Sequence, residues 1–163
     1  MKAKPVRHLL AIDTATAWQS VALLQDDQVL ALLEQDAEGS HARSLMGAID
    51  RLLRGAGLSL KDLQALAVSI GPGSFTGLRI GVVAAKTLAY AVGAKLVGVH
   101  TLAAMAEPFE TRGQRLWTIL DAQRQELFAA SLDPARLVID QAEPSTDIMP
   151  IDDWIAQLAA GDQ

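Results

Sequence analysis

Residues 70–81 read Ile-Gly-Pro-Gly-Ser-Phe-Thr-Gly-Leu-Arg-Ile-Gly. Gly71, Pro72 and Gly73 can neither extend a strand nor sit inside a helix, so they force a tight bend. An apolar run, Leu66 to Ile70, precedes the bend. A long apolar helical pattern, about Thr76 to Val92, follows it and stops at Gly93. Glycine-rich turns between a buried strand and a helix N-terminus are places where chains hold anions or other backbones. The bend also sets a strand-then-helix order that the rest of the fold must satisfy.

The flanking pattern extends that order. His8 to Asp13, Trp18 to Leu24 and Gln28 to Glu34 read as three strands with tight turns, the second turn at Asp26-Asp27, which predicts an antiparallel meander. Ser40 caps a helix running to about Arg54, with Leu45, Ile49, Leu52 and Leu53 on one face and Gly55 and Gly57 as its stop. Ser59 and Asp62 have the spacing of a small capping box. Ala65 to Ile70 and Lys95 to Val99 are strands four and five, and Thr101 to Glu107 is a short helix stopped near Pro108. Strands joined by helices pair in parallel through right-handed crossovers. The order β-β-β-α-β-α-β-α predicts an α/β fold of the ribonuclease-H-like kind, the unit that is duplicated in the actin-like ATPase fold.

The first strand pair has a second copy in outline. Leu116 to Asp121, a polar turn and Glu126 to Leu132 repeat the form of Leu9 to Asp13, a turn and Ser20 to Leu24. Residues 136–140 read as a third strand, Pro144 to Pro150 as a linker, and Ile151 to Ala160 as a short helix. The expected division is therefore an N-terminal domain over 1–108 and a partial, truncated second lobe over 114–163.

Composition narrows the chemistry. Half of the 163 residues are hydrophobic but only 4% are aromatic, so the core is built from Ala, Leu, Val and Ile. The formal charge is −5 with no Lys/Arg cluster along the sequence, which makes the chain alone a poor ligand for tRNA or DNA. The absence of cysteine excludes disulfides, thiolate metal sites and cysteine nucleophiles. The N-terminal apolar run is too short for a signal segment, and no stretch reads as long enough to span a membrane, so a cytoplasmic protein is expected.

Two segments are candidates for phosphate or nucleotide binding. One is Asp13-Thr14 after strand one, where Ala15 stands at the place a phosphate-approaching glycine would occupy; a hairpin turn bonding its own backbone is the alternative. The other is Gly71, Gly73 and Ser74. It lacks the Gly-Lys-Ser/Thr ending of a P-loop, and a purely structural turn is the alternative. Ser74 also lacks the flanks of a nucleophile elbow. His8, His41 and His100 have no metal-ligand spacing, and His41 reads as solvated; no carboxylate pair marks acid–base work.

The second helix carries a different signal. Gly77, Gly81, Ala85, Ala89 and Gly93 recur every four residues as a stripe of small side chains, while Arg79, Lys86 and Tyr90 form only a narrow polar strip. Two interior glycines cost up to about 1 kcal/mol each, so something compensates for them. Small stripes let another backbone approach closely. The expected use is a partner interface formed by Leu45, Ile49, Gly77, Gly81, Ala85 and Ala89; packing within the chain alone is the alternative.

Ile12-Asp13-Thr14-Ala15-Thr16, the run Gly71 to Gly81 and Gly98-Val99-His100-Thr101-Leu102 together closely resemble the TsaB (YeaZ) family over about residues 7–132. The resemblance implies an actin-like fold and a non-catalytic subunit in making threonylcarbamoyl-adenosine at position 37 of tRNA. It implies docking to a TsaD-type catalytic subunit, or to a second copy as a homodimer, through the helices after the meander and after the Gly-Pro-Gly loop. A TsaE-type ATPase is the implied third subunit, tRNA is met only through the complex, and ATP or ADP belongs only at the complex interface. TsaD-type proteins carry a metal-binding His-x-x-x-His after strand five. Thr101 and Met105 stand at the matching positions here. A hydroxyl and a thioether are poor replacements for two imidazoles, so no metal and no carbamoyl transfer are expected. The rival readings are an actin-fold ATPase or kinase-like enzyme using Asp13, Thr14 and the Gly71–Gly77 loop, and a self-associating protein.

Overall fold

A computed structural model of the chain describes residues 7–36, 41–109, 116–132 and 145–161, with the backbone alone at 41–43 and 161. The expected cap Ser40, the His41 side chain and the expected strand over 136–140 lie outside the described residues. Contacts divide the chain into two units, 1–99 and 100–163, so the boundary falls after Val99 and the short third helix goes with the second unit.

In the first unit the meander is β1 (His8–Asp13), β2 (Trp18–Gln25) and β3 (Gln28–Asp36). Helix α1 (His41–Gly55), a short 3-10 turn (Leu60–Asp62), β4 (Ala65–Gly71), α2 (Phe75–Val92) and β5 (Lys95–His100) follow. The strand order is β3-β2-β1-β4-β5, with β1–β2 and β2–β3 antiparallel and β1–β4 parallel. That is the ribonuclease-H-like layout the sequence predicts.

Alternation puts Leu10 and Ile12 of β1, Val21 and Leu23 of β2, and Leu66 and Val68 of β4 on one face of the sheet. Leu45, Ala48, Ile49, Leu52 and Leu53 of α1 and Ala85, Leu88 and Ala89 of α2 close over that face. Each fully buried leucine contributes about 1.5–3 kcal/mol relative to exposure, so this layer holds the unit together. The expected capping box is present: the Ser59 amide and hydroxyl donate to Asp62 Oδ2 at 2.8 and 2.7 Å.

The small-residue stripe of α2 departs from the sequence reading. Gly77, Gly81, Ala85 and Ala89 are all buried, as are Leu45 and Ile49 of α1. The stripe faces inward, against the turn that leaves β1. A Cβ on Gly77 would overlap the Thr14 carbonyl oxygen, and one on Gly81 would overlap the Thr14 hydroxyl. The backbone that approaches the glycines is therefore the chain's own, and these six residues offer no surface to another protein. Helix α2 is also long and apolar enough, by length and composition, to cross a membrane, contrary to the sequence expectation. Glycine, alanine and valine make it apolar over most of its circumference, and a helix that packs on a core passes the same test.

The second unit holds α3 (Thr101–Ala106), β6 (Leu116–Gln123), β7 (Glu126–Leu132), β8 (Thr146–Pro150) and α4 (Ile151–Gly161). Its sheet is β6-β7-β8, antiparallel throughout. Residues 146–150 are a strand rather than part of a linker: β7 has a free edge after pairing β6, and Thr146 to Pro150 fill it opposite Ala130 to Glu126. The prolines at 144 and 150 hide that strand in the sequence. The repeated outline reaches atomic detail. Asp13 Oδ1 accepts the amide two residues on, Ala15, at 2.8 Å, and Asp121 Oδ1 accepts that of Gln123 at 2.7 Å.

Gly77→Ala and Gly81→Ala are each expected to destabilise the chain by about 1–3 kcal/mol through overpacking against Thr14. Gly47→Ala on α1, where nothing lies within 4 Å, is expected to stabilise by up to about 1 kcal/mol. Denaturant midpoints of the three variants check the contrast. The Ser59 donors hold the Asp62 carboxyl below its ordinary value of 3.8. Its contribution is thus present above the unfolded pKa and lost as pH falls through the lowered one, so Asp62→Asn should flatten the acid limb of a stability–pH curve.

Candidate functional site

Strands β1 and β4 run in parallel, so both release the chain at the same end of the sheet. The turn after β1 (Asp13 to Ala17) and the turn after β4 (Gly71 to Ser74) meet there, and α2 starts from the second. This is the place where the sequence set its phosphate candidates. Thr14 is fully buried; its hydroxyl donates to the Gly77 carbonyl at 2.8 Å, and its amide reaches Ser69 Oγ at 3.4 Å. The Ser74 amide donates to the Ala15 carbonyl at 2.7 Å. Ser74 Oγ accepts the Gly77 amide at 3.2 Å and so caps α2. Gly73 has φ +154°, and a Cβ there would lie 2.9 Å from Ala15 Cβ and closer still to the Ala15 carbonyl.

Thr14, Gly73 and Ser74 are thus brought together, but with each other. A phosphate cradle needs free amides and open space between its loops. Here the Ser74 and Gly77 amides are used, the Thr14 hydroxyl is used, and Ala15 fills the space in front of Gly73. Asp13 is half-buried with one oxygen on Ala15, and Gly71 is buried beside the Leu78 side chain. At this junction Thr14, Gly73 and Ser74 are engaged in packing and in hydrogen bonds with one another's turns. Among the described residues, no group of three or more His, Asp or Glu is placed to hold a metal ion.

The other side of the helical layer is open. Along α2 the exposed positions are Phe75, Thr76, Arg79, Val83, Lys86, Thr87, Tyr90 and Ala91, all within one arc of the helix. Phe75, Val83 and Tyr90 are 79%, 59% and 92% exposed. On α1 the outward positions include Met46, Gly47, Asp50, Arg51 and Arg54. The two helices contact each other over the same sheet face, and each leaves an exposed arc on its outer side. On α1, Arg51 reaches to β3 and donates to Gln35 Oε1 at 3.0 Å. Large exposed apolar side chains grouped in this way mark contact surfaces.

Met46, Phe75 and Val83 were missed by the sequence reading, which followed the small stripe. Their signal was present in Arg79, Lys86 and Tyr90: that polar strip is the centre of the exposed arc, and Phe75 and Val83 lie within one turn of it.

The family model of TsaD, tRNA N6-adenosine threonylcarbamoyltransferase, matches residues 33–147. The chain is 31% identical to the tRNA threonylcarbamoyladenosine biosynthesis protein TsaB of Bacillus subtilis over 155 residues, 95% of this chain and 67% of that one. It is 39% identical to the Escherichia coli TsaB over 124 residues, 75% of this chain and 53% of that one. Against the latter it spans about half of the relative's length. YeaZ from Pseudomonas aeruginosa has the same fold with a TM-score of 0.76 at 31% identity, over 88% of this chain and 67% of that one. A fold likeness at 15% identity and a TM-score of 0.50 extends to the ethanolamine utilization protein EutJ of Carboxydothermus hydrogenoformans. With its mixed α/β architecture and actin-like ATPase fold, the chain belongs to the TsaB (YeaZ) family.

Proposed function

We propose that this chain works in tRNA threonylcarbamoyladenosine biosynthesis as a non-catalytic subunit that docks a TsaD-type catalytic subunit through the outward face of α1 and α2 and holds it active. The observation that carries the reading is the exposed arc of α2, with Phe75, Val83 and Tyr90 on a helix whose other side is sealed against its own sheet. The relatives' names supply the pathway. The residues Thr101 and Met105 support a non-catalytic role: Thr101 is buried at the head of α3, and neither side chain replaces an imidazole ligand well. A TsaE-type ATPase and tRNA join through the assembled complex, and the protein works in the cytoplasm.

Tyr90→Ala is expected to weaken co-elution with the TsaD-type subunit of the same organism by roughly thirty-fold in Kd, an aromatic hot-spot loss of about 2 kcal/mol, while the unfolding midpoint stays put. Wild-type affinity in that variant would move the interface elsewhere. In cells, depletion of the protein should lower threonylcarbamoyl-adenosine in tRNA, and unchanged levels would sink the pathway assignment.

The engaged atoms at the Thr14–Gly77 junction also bear on the ATPase reading. Millimolar Mg-ATP is expected to leave the thermal midpoint of the chain alone within about 1 °C. A shift of several degrees that disappears in Asp13→Ala would instead establish a nucleotide site of its own.

A further inference from the structure

The helices cover one face of the first sheet. On the β2–β3 hairpin the opposite face is apolar and open. Val21, Leu23, Ala31 and Leu33 pack inward, so alternation turns Trp18, Ala22, Leu24 and Leu32 the other way. Trp18 and Leu32 are 62% and 57% exposed. Val29 and Leu30, at the register shift beside Leu24, are 61% and 44% exposed. Ala22 stands opposite Leu32, and its small side chain leaves a shallow trough beside the leucine. One end of this face is acidic. Exposed Glu34 follows Leu32 on the same face and lies opposite Ser20, and Asp13 of β1 stands on the other side of Ser20. From Trp18 to Asp36 the chain has four carboxylates, Asp26, Asp27, Glu34 and Asp36, and no Lys, Arg or His. Arg51 spends its guanidinium on Gln35, which turns inward, and Arg7 lies at the far end, where its carbonyl takes the Asp26 amide.

We propose that this face seats an amphipathic helix of a separate protein. The helix is apolar along the stripe that meets Trp18, Leu24 and Leu32, and it bears Lys or Arg at the end that lies over Asp13 and Glu34. Large apolar side chains grouped on a surface mark contact sites, and sheets bury such faces under helices. The row from Trp18 to Leu24 is about 20 Å long, which matches about 13 helical residues. Trp18 supplies an aromatic anchor of the kind that dominates binding at interfaces. The carboxylates repel the phosphates of RNA and of anionic lipid, and they pair with cations at the rim of a protein. A second copy of the hairpin brings no cation, and the charged side chains of α4 are Asp152 and Asp153. The face lies opposite α1 and α2, so it stays open whichever partner the helical layer takes.

The test uses the full chain and a synthetic helix of about 13 residues, stapled because so short a helix is marginal alone. The peptide carries leucines along one stripe and Lys or Arg in one terminal turn; a twin carries Glu there instead. Binding is read by anisotropy of the labelled peptide and by tryptophan emission, with Trp18→Phe isolating the signal of Trp18 among the three tryptophans. The basic peptide is expected to bind about ten-fold or more tightly than its twin at about 0.1 M salt. Leu32→Ser should weaken it by about ten-fold with the unfolding midpoint unchanged, and Glu34→Lys should abolish the preference over the twin. Tyr90→Ala, on the helical layer, should leave the peptide bound as before; a loss there puts the peptide on the other side of the sheet and overturns the proposal. Equal binding of both peptides, binding of neither, or binding that survives Leu32→Ser overturns it too. Self-association of the chain that Leu32→Ser removes would make a second copy the occupant. Binding of the part of Bacillus subtilis TsaB outside the match, tighter than the peptide's and lost in Leu32→Ser, would make the occupant a segment of a longer chain. Either result also overturns the proposal.

Discussion

The side chain of Thr14 is the contact on which the first unit turns. It projects from the end of β1 into the inner side of α2, where only glycine leaves room for it. Its hydroxyl bonds the carbonyl of one of those glycines, Gly77, and packs on the other, Gly81. The same contact sets how closely α2 lies on the sheet, so the burial of Ala85, Leu88 and Ala89 further along the helix follows from it. Two interior glycines lower the intrinsic stability of α2. The close packing and the buried hydrogen bond they permit offset that cost, because a hydroxyl buried without a partner costs about 1–3 kcal/mol, more than the roughly 0.5–1.5 kcal/mol a typical bond contributes net.

Helix α2 thereby acquires two sides with separate duties. The inner side is fixed by steric fit, where one added carbon atom creates overlap. The outer side has no such constraint and carries Phe75, Val83, Tyr90 and the two cations in full contact with solvent. Residues on the outer side can change their chemistry without disturbing the fold.

Much of the fold was legible in the sequence because its signals are local. Strand alternation, the turn residues, the Ser59–Asp62 box and the stop at Gly93 each report on a few neighbours, and the element bounds of β1 to β5 and both long helices follow them closely. Pairing of β1 with β4 follows from handedness and connection length. The β8 strand was not legible, since its only reason to be a strand is the open edge of β7, formed more than a dozen residues away. The use of the glycine stripe was not legible either. A small-residue stripe records that something approaches closely, but not what, and the Thr14 backbone is a visitor from 63 residues upstream. The stripe read as facing a partner is turned inward by the structure, onto the chain's own β1 turn.

The distance in sequence between Thr14 and Gly77 has a consequence for how the molecule is made. A helix interrupted by two glycines is a poor helix in isolation, and its helicity depends on tertiary docking. Docking needs the β1 turn in position, and that position is defined only once β4 has paired beside β1. Pairing of β4 beside β1 and formation of α2 are thus coupled, and they close a long loop that holds β2, β3 and α1. On the ribosome the meander and α1 can be complete and still wait: until α2 has left the exit tunnel, the Thr14 side chain has no socket, and the part of the sheet's apolar face that α2 covers stays open in the nascent chain.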